Sequence, residues 1–243
     1  MSNNGVKFEK NIVENYRKPS ANFEPEVQSA TNLLRTFFSN KKIVHRDEIS
    51  LKGKGLGREV KADFWIDECG VSVKLNGTIQ LSSAEGKGTA KAFRLCYNNI
   101  CSKLSEAEGA LIEELIRIVE DIPTKMVSAA NRAKAQQRKP KIAAVATDYD
   151  VWSHDVKPQI NKLMLHVFEN IPQFKLAVVE EMLTGRLQFA NTIGVADYIL
   201  TPDYFGYIDK NYVQKITDCV KIDLRAKSRA GITSGVVRFD AKA

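Results

Sequence analysis

Apolar positions recur along this chain with two different periods, one helical and one extended. Val27, Ala30, Leu33, Leu34 and Phe37 follow the helical spacing, which predicts an amphipathic helix after residue 23. The stretch before it is polar, and we expect residues 1–22 to form a loose arm. The first regular element is therefore predicted to be the helix that carries these five residues.

Short runs rich in Val, Ile, Phe and Tyr predict strands in two parts of the chain. The first part contains "ADFWIDECGVSVKLNG" at 62–77, and the second contains "GVADYILTP", "DCVKIDLRAK" and "SGVVRFDA". The segment from about 101 to 189 is mostly helical in pattern. We therefore predict an α/β protein with a mixed sheet flanked by helices, in which one domain at 23–243 has a core at 23–100 and 190–240 and a helical insertion at 101–189.

A second helix is predicted in "SSAEGKGTAKAFRLCYNNI", where we expect it to begin at Ser82 or Ser83, although Gly86 and Gly88 are unfavourable in a helix. On that helix Lys87, Lys91 and Arg94 share one face. Residues 122–147 also carry bases and no acid, among them Arg132, Lys134 and Arg138. These two sets are candidate contacts for a nucleic-acid backbone, and the competing interpretation is a solvated helix face.

The net charge of +7 agrees with an anionic partner. No apolar run approaches the roughly 18 residues of a membrane span, and the first residues lack the apolar core of a signal peptide. Four scattered cysteines and three separated histidines predict neither a disulfide framework nor a zinc site. We expect a cytoplasmic protein without a membrane partner.

The hairpin at 62–77 carries an acid and a lysine in runs that are otherwise apolar. With the turn centred on Glu68 and Cys69, Asp63 lies opposite Lys74 and Trp65 lies opposite Ser72. The two charges then form either a plain salt bridge or part of a site that hydrolyses phosphodiesters.

This hairpin resembles the active site of the PD-(D/E)XK nuclease superfamily, which has the restriction-endonuclease-like fold. Ala62 and Asp63 match the PD element, and Ser72, Val73 and Lys74 match (D/E)XK. The resemblance implies a Mg²⁺-dependent endonuclease, with Mn²⁺ as a substitute, that cuts double-stranded DNA, leaves 5′-phosphates and works as a homodimer. It further implies that Asp63 binds the metal and that Lys74 positions the attacking water.

The sequence departs from the family pattern at Ser72, where an acid is usual. Some members with this serine supply a glutamate from the following helix, and Glu85 is then the second metal ligand. Glu85 also fits a capping box with Ser82, so both interpretations stay open. Glu26, on the predicted first helix, is a candidate supporting acid or a plain surface residue. The resemblance covers residues 22–95.

Two other functions fit the same residues. The first is a nucleic-acid-binding protein that has this fold and no catalysis, which the serine at position 72 favours. The second is a structural or assembly protein, in which Asp63 and Lys74 form a salt bridge and the basic helices hold nucleic acid or an acidic partner. Metal-dependent cleavage distinguishes the nuclease from both.

Overall fold

The computed structural model describes residues 4–49, 60–75, 78–190 and 192–242. Its helices are α1 (Asn4–Arg17), α2 (Pro25–Phe37), α3 (Gly86–Ile100), α4 (Glu106–Glu120), α5 (Arg132–Arg138), α6 (Pro140–Ala143), α7 (Tyr149–Val151), α8 (Lys157–Asn170), α9 (Pro172–Thr184) and α10 (Lys210–Cys219). Its strands are β1 (Ile43–His45), β2 (Phe64–Ile66), β3 (Cys69–Val73), β4 (Thr78–Glu85), β5 (Met126–Val127), β6 (Thr147–Asp148), β7 (Tyr198–Leu200), β8 (Phe205–Tyr207), β9 (Val220–Arg229) and β10 (Ile232–Lys242). The prediction of an α/β protein with a largely helical middle is confirmed, and in place of the one mixed sheet that we predicted there are two.

The chain divides into two compact units, each made from separate pieces of sequence. The first consists of Met1–Ile79, Val179–Cys219 and Ala241–Ala243, and the second of Gln80–Val178 and Val220–Asp240. The boundaries of these units differ from those predicted for a core and a helical insertion.

The N-terminal segment is a helix rather than the loose arm that we expected. Helix α1 buries Phe8, Ile12 and Val13 in the same core as Val27 and Leu34 of α2. The apolar positions of α1 recur at helical spacing, but the polar residues between them obscured this pattern. Packing against α2 and the sheet stabilises the helix, because a short helix gains most of its stability from tertiary burial.

The sheet of the first unit has the strand order β1-β2-β3-β7-β8. All neighbours are antiparallel except β3 and β7, which run parallel. Parallel neighbours need a long crossover connection, and the segment between β3 and β7 contains most of the second unit. Helices α1 and α2 cover one face of this sheet through Phe64, Val71 and Leu200. On the other face, Trp65 packs with Val60 and Ala62.

The second unit has its own sheet and its own aromatic core. Its strands have the order β4-β10-β5-β6, and β9 pairs with β10. Phe93 of α3 makes edge-on contacts with Phe168, Phe174 and Phe239 at centroid distances of 5.7, 5.7 and 6.2 Å. Such pairs add stability beyond the area that they bury. Among the residues that the structure describes, every helix is too short or too polar to span a lipid bilayer.

Helix α3 begins later than the sequence predicts. Residues 78–85 form β4, and the helix starts at Gly86, with Glu85 in the N-cap position. The Glu85 side chain makes no capping hydrogen bond, so the predicted start at Ser82 or Ser83 and the capping box are wrong. Pairing of β4 with β10, which is distant in sequence, outweighs the local signal for a helix start.

Glu181 of α9 holds the backbone that follows its helix. It is 2 % exposed and accepts hydrogen bonds from the amides of Leu187 (2.7 Å) and Gln188 (3.0 Å), while burial raises the pKa of its carboxyl. We expect Glu181→Ala to lower the free energy of unfolding by about 3 kcal/mol, because it leaves two amides without acceptors. Glu180→Ala, which removes a partly exposed ion pair with Arg186, should cost less than about 1 kcal/mol. Urea denaturation measures both, and equal losses would contradict this role of Glu181.

Candidate active site

The candidate site begins with Asp63, which lies just before β2 and is held rigidly. Its amide donates to the Val71 carbonyl at 2.8 Å, and its Oδ2 accepts from the Val73 amide at 2.7 Å. The Ser72 hydroxyl lies 3.4 Å from the same Oδ2. The side chain is only 11 % exposed. These bonds aim one carboxylate oxygen at the backbone of β3 and leave Oδ1 for another partner.

Lys74 completes a short polar chain across the hairpin. Its Nζ donates to the Ser72 hydroxyl at 2.8 Å and lies 3.9 Å from Asp63 Oδ2. Its amide donates to the Leu200 carbonyl at 2.8 Å, so the neighbouring strand β7 fixes the backbone at this point. The three side chains predicted to form the site are therefore brought together, with Ser72 between the lysine and the acid.

The predicted hairpin register is wrong by two residues. Phe64 pairs with Val71, Trp65 with Gly70 and Ile66 with Cys69, so the turn consists of residues 67 and 68. Asp67 takes a positive φ of 53°, a conformation that aspartate tolerates in turns. A shift of two residues in the pairing register keeps every side chain on its predicted face of the sheet, because side chains along a strand alternate with a period of two. Lys74 is for this reason a diagonal neighbour of Asp63 and not its direct partner.

Glu9 of α1 is a site residue that the sequence analysis missed. The Arg46 guanidinium joins it to the hairpin, since Nη2 lies 3.7 Å from Glu9 Oε2 and Nη1 lies 3.5 Å from Asp63 Oδ1. Burial, and then the charge of Asp63, raises the pKa of Glu9 to about 7. The site thus contains two carboxyl groups, one from the hairpin and one from the first helix of the chain.

His45 lies beside Glu9 in the site. Its Nδ1 accepts a hydrogen bond from the Asp47 amide at 3.1 Å, which places the ring proton on Nε2. Burial lowers the pKa of the ring. Nε2 lies 4.0 Å from Glu9 Oε2, and within the described part of the chain both atoms are buried without a hydrogen-bond partner. Buried polar atoms are rarely left without a partner.

Among the described residues, the two remaining predicted acids make no contact with Asp63 or Lys74. Glu26 is exposed near the start of α2, where it lines a cavity with Phe8 and Leu75, the residues next to Glu9 and Lys74 in sequence. Glu85 belongs to the second unit, where it is exposed before α3, so its role as a metal ligand stays a prediction.

The predicted nucleic-acid contacts are also in the second unit. Lys87, Lys91 and Arg94 are exposed on one side of α3, as predicted, and Arg94 pairs with Glu113 at 3.2 Å. Three further bases lie on α5, where Arg132 is 3.6 Å from Asp148, and Lys134 and Arg138 are exposed. Binding of nucleic acid by these residues stays a prediction.

The residues of the site fit a divalent cation in part. In the described ranges no group of three or more His, Cys, Asp or Glu side chains is arranged to hold a metal ion. Two carboxylates, Asp63 and Glu9, are nevertheless linked through one guanidinium, and Glu9 Oε2 is a buried oxygen that lacks a donor. Hard oxygen ligands of this kind suit Mg²⁺, which fills its remaining positions with water and substrate phosphate.

A cavity of about 560 Å³ borders Leu75, the residue after Lys74. The turn between β7 and β8 forms one wall and α10 the other, and the rings of Tyr204 and Tyr212 stack there at a centroid distance of 5.6 Å. A cavity of this size accepts a group as large as a nucleotide. Its aromatic and polar lining offers both stacking and hydrogen bonding close in sequence to the lysine.

We compared the chain with models of protein families, with curated proteins and with solved structures, and none of the three comparisons found a match.

Proposed function

We propose that this protein is a metal-dependent endonuclease that hydrolyses phosphodiester bonds in double-stranded DNA, on a core of the restriction-endonuclease-like type. The observation that carries the proposal is the polar chain from Lys74 through Ser72 to Asp63 on a buried hairpin. A plain surface salt bridge needs neither the burial nor the bridging hydroxyl. The homodimer is part of the same proposal.

In this proposal Asp63 and Glu9 hold the cation, and Glu9 takes the place of the acid that the family usually has at Ser72. A bound Mg²⁺ lowers the pKa of a water molecule and polarises the phosphate. The Lys74 ammonium group donates a hydrogen bond to the attacking water or to a phosphate oxygen, where its charge offsets the negative charge that develops. Ser72 holds Nζ in place at 2.8 Å. Glu85 remains an alternative source of the second acid.

A DNA-binding protein without catalysis is the second candidate, and Arg46 is the observation that favours it. Its guanidinium lies within 4 Å of both Glu9 and Asp63, so it already supplies positive charge to the two carboxylates. An arginine in this place competes with a cation. A nuclease would need the Arg46 side chain to turn towards the phosphate when the metal binds.

Removal of the metal is the test of the proposal. We expect the protein to nick or linearise supercoiled plasmid and to cut mixed-sequence linear DNA in Mg²⁺ or Mn²⁺, leaving 5′-phosphates. Cleavage should stop in EDTA and return when Mg²⁺ is added back, because in this proposal the cation supplies the activated water and the charge that stabilises the phosphate. Cleavage that persists in EDTA would contradict the proposal. Retention of DNA in a gel-shift assay without cleavage in either metal would favour the second candidate.

A further inference from the structure

The hairpin formed by β9 and β10 in the second unit ends in a rigid two-residue turn. Ala230 and Gly231 have φ values of 55° and 84°, the left-handed conformations that a tight hairpin turn requires. Just below the turn, the hydroxyls of Ser228 and Thr233 are 2.7 Å apart and close the hairpin. The turn and this contact therefore hold the side chains at the end of the hairpin in defined positions.

Helix α5 packs directly against this turn. A methyl group placed at Gly231 would lie 3.4 Å from the Ala135 nitrogen, which shows how closely the two backbones approach. Ala135 is fully buried in a small core with Val127 and Ala143, and Ile232 packs against it. The hairpin end and α5 are thus joined into one surface.

Four exposed cations lie on these two elements, and we call them the basic corner. They are Lys134 and Arg138 of α5 and Lys227 and Arg229 of β9. Each pair shares one side of its element, because residues four apart on a helix and two apart on a strand point the same way. Lys227 and Arg229 are therefore separated by roughly 7 Å along the strand.

The basic corner carries unneutralised charge. No acid occurs in 122–147, on either side of the three bases of α5, and none occurs in 224–235 around the turn. The nearest acids along β9 and β10 already have partners, since Asp223 is 2.9 Å from Arg225 and Asp240 is 2.8 Å from Arg238. In the part of the chain that the structure describes, no ion pair involves a member of the basic corner.

Protection of a sheet edge explains only half of this pattern. Lysines on an edge strand prevent pairing with other chains, and β9 is such a strand. That role requires no charge on α5, yet Lys134 and Arg138 add to the same corner. A surface that mixes lysine with arginine, and whose four cations form no ion pair among the described residues, suits phosphate, which guanidinium groups bind with two hydrogen bonds.

We propose that the basic corner binds the phosphate backbone of double-stranded DNA. A two-stranded ribbon fits the major groove, where the flanking phosphates lie within reach of cations at its end. The inference deepens the proposed function, on which the choice of DNA as the anion rests. It assigns to the second unit a contact with substrate that is separate from the hairpin chemistry of the first unit.

Charge reversal tests the basic corner by direct binding. The variants are Lys227→Glu with Arg229→Glu, and Lys134→Glu with Arg138→Glu. The control, Lys103→Glu with Lys162→Glu, reverses two exposed lysines elsewhere in the second unit and changes the net charge equally. Fluorescence anisotropy with a 30-base-pair duplex is measured in EDTA, so that no cleavage is needed. Thermal melting by circular dichroism verifies that each variant is folded.

We expect each corner variant to weaken duplex binding about 10-fold or more and the control to weaken it less than about 3-fold. Each should also reduce the slope of log K against log salt by about 2, because two phosphate contacts are lost. Three results would overturn the inference: equal losses in the corner and control variants, a loss of binding to single-stranded RNA alone, or unchanged binding. None of these results bears on the proposed cleavage. Binding through the corner without any metal-dependent cleavage would instead overturn the proposed nuclease.

Discussion

Replacing Lys74 by alanine is expected to lower the rate of metal-dependent cleavage about 1,000-fold while DNA binding stays within about 3-fold of wild type. The Nζ group is 2.8 Å from Ser72 and 3.9 Å from Asp63, so its removal takes away the one cation that the hairpin itself supplies to the reaction. Its contribution arises mainly as charge develops on the phosphate, so the loss should be in the cleavage rate and not in the affinity for DNA.

The measurement is the initial rate on supercoiled plasmid at saturating Mg²⁺, beside a gel-shift titration with the same DNA. Lys210→Ala, at an exposed lysine of α10 in the same unit, is the matched control and should cut at the wild-type rate. A Lys74→Ala protein that retains more than about a tenth of the wild-type rate would rule out this role, because a positioned cation of this type contributes on the order of 100-fold or more.

Replacing Glu9 by glutamine is expected to stabilise the protein and at the same time lower cleavage about 100-fold. Burial and Asp63 raise the pKa of Glu9 to about 7, from 4.5 in the unfolded chain. The folded state therefore favours the neutral carboxyl, and the stability that this group contributes at low pH is lost as the pH rises from 4.5 through 7. Glutamine is never charged, so it avoids this loss.

The gain in unfolding free energy from Glu9→Gln should be about 2 kcal/mol at pH 8 and much smaller at pH 5. Urea denaturation in EDTA at the two pH values measures it, with Glu14→Gln on the exposed side of α1 as the control. A gain of the same size at both pH values would show that the cause is not ionisation of Glu9.

Metal binding by Glu9→Gln, compared with Asp63→Asn and Glu85→Gln, distinguishes the sources of the second acid. If Glu9 holds the cation, calorimetric titration with Mn²⁺ should lose its signal in Glu9→Gln and Asp63→Asn and keep it in Glu85→Gln. The reverse result, with loss only in Asp63→Asn and Glu85→Gln, would return the role to Glu85. A variant that is more stable and less active is what a buried carboxylate kept for function should give.

Local patterns in the sequence determine much of the fold. The short runs rich in Phe, Trp, Ile and Val in "ADFWID" and "GVSV" specify a hairpin, and its face is correct because a register slip of two keeps Asp63, Ser72 and Lys74 on one side. Helix α2 and the strands β7, β9 and β10 also follow from local pattern, since α2 has apolar residues at helical spacing and the strands contain the β-branched and aromatic residues that predict strands.

Only the tertiary structure decides what depends on contacts between distant parts of the chain. Helix α1 is too polar to be read as a core element, yet packing against α2 buries it and delivers Glu9 to the site. The strand at 78–85 replaces a predicted helix start because β10, far away in sequence, pairs with it. Arg46 meets both carboxylates only when β1, β2 and α1 come together. Sequence alone thus determines which residues share a face of one element, whereas the set of charges that meet at the site depends on free energies of packing that no local pattern encodes.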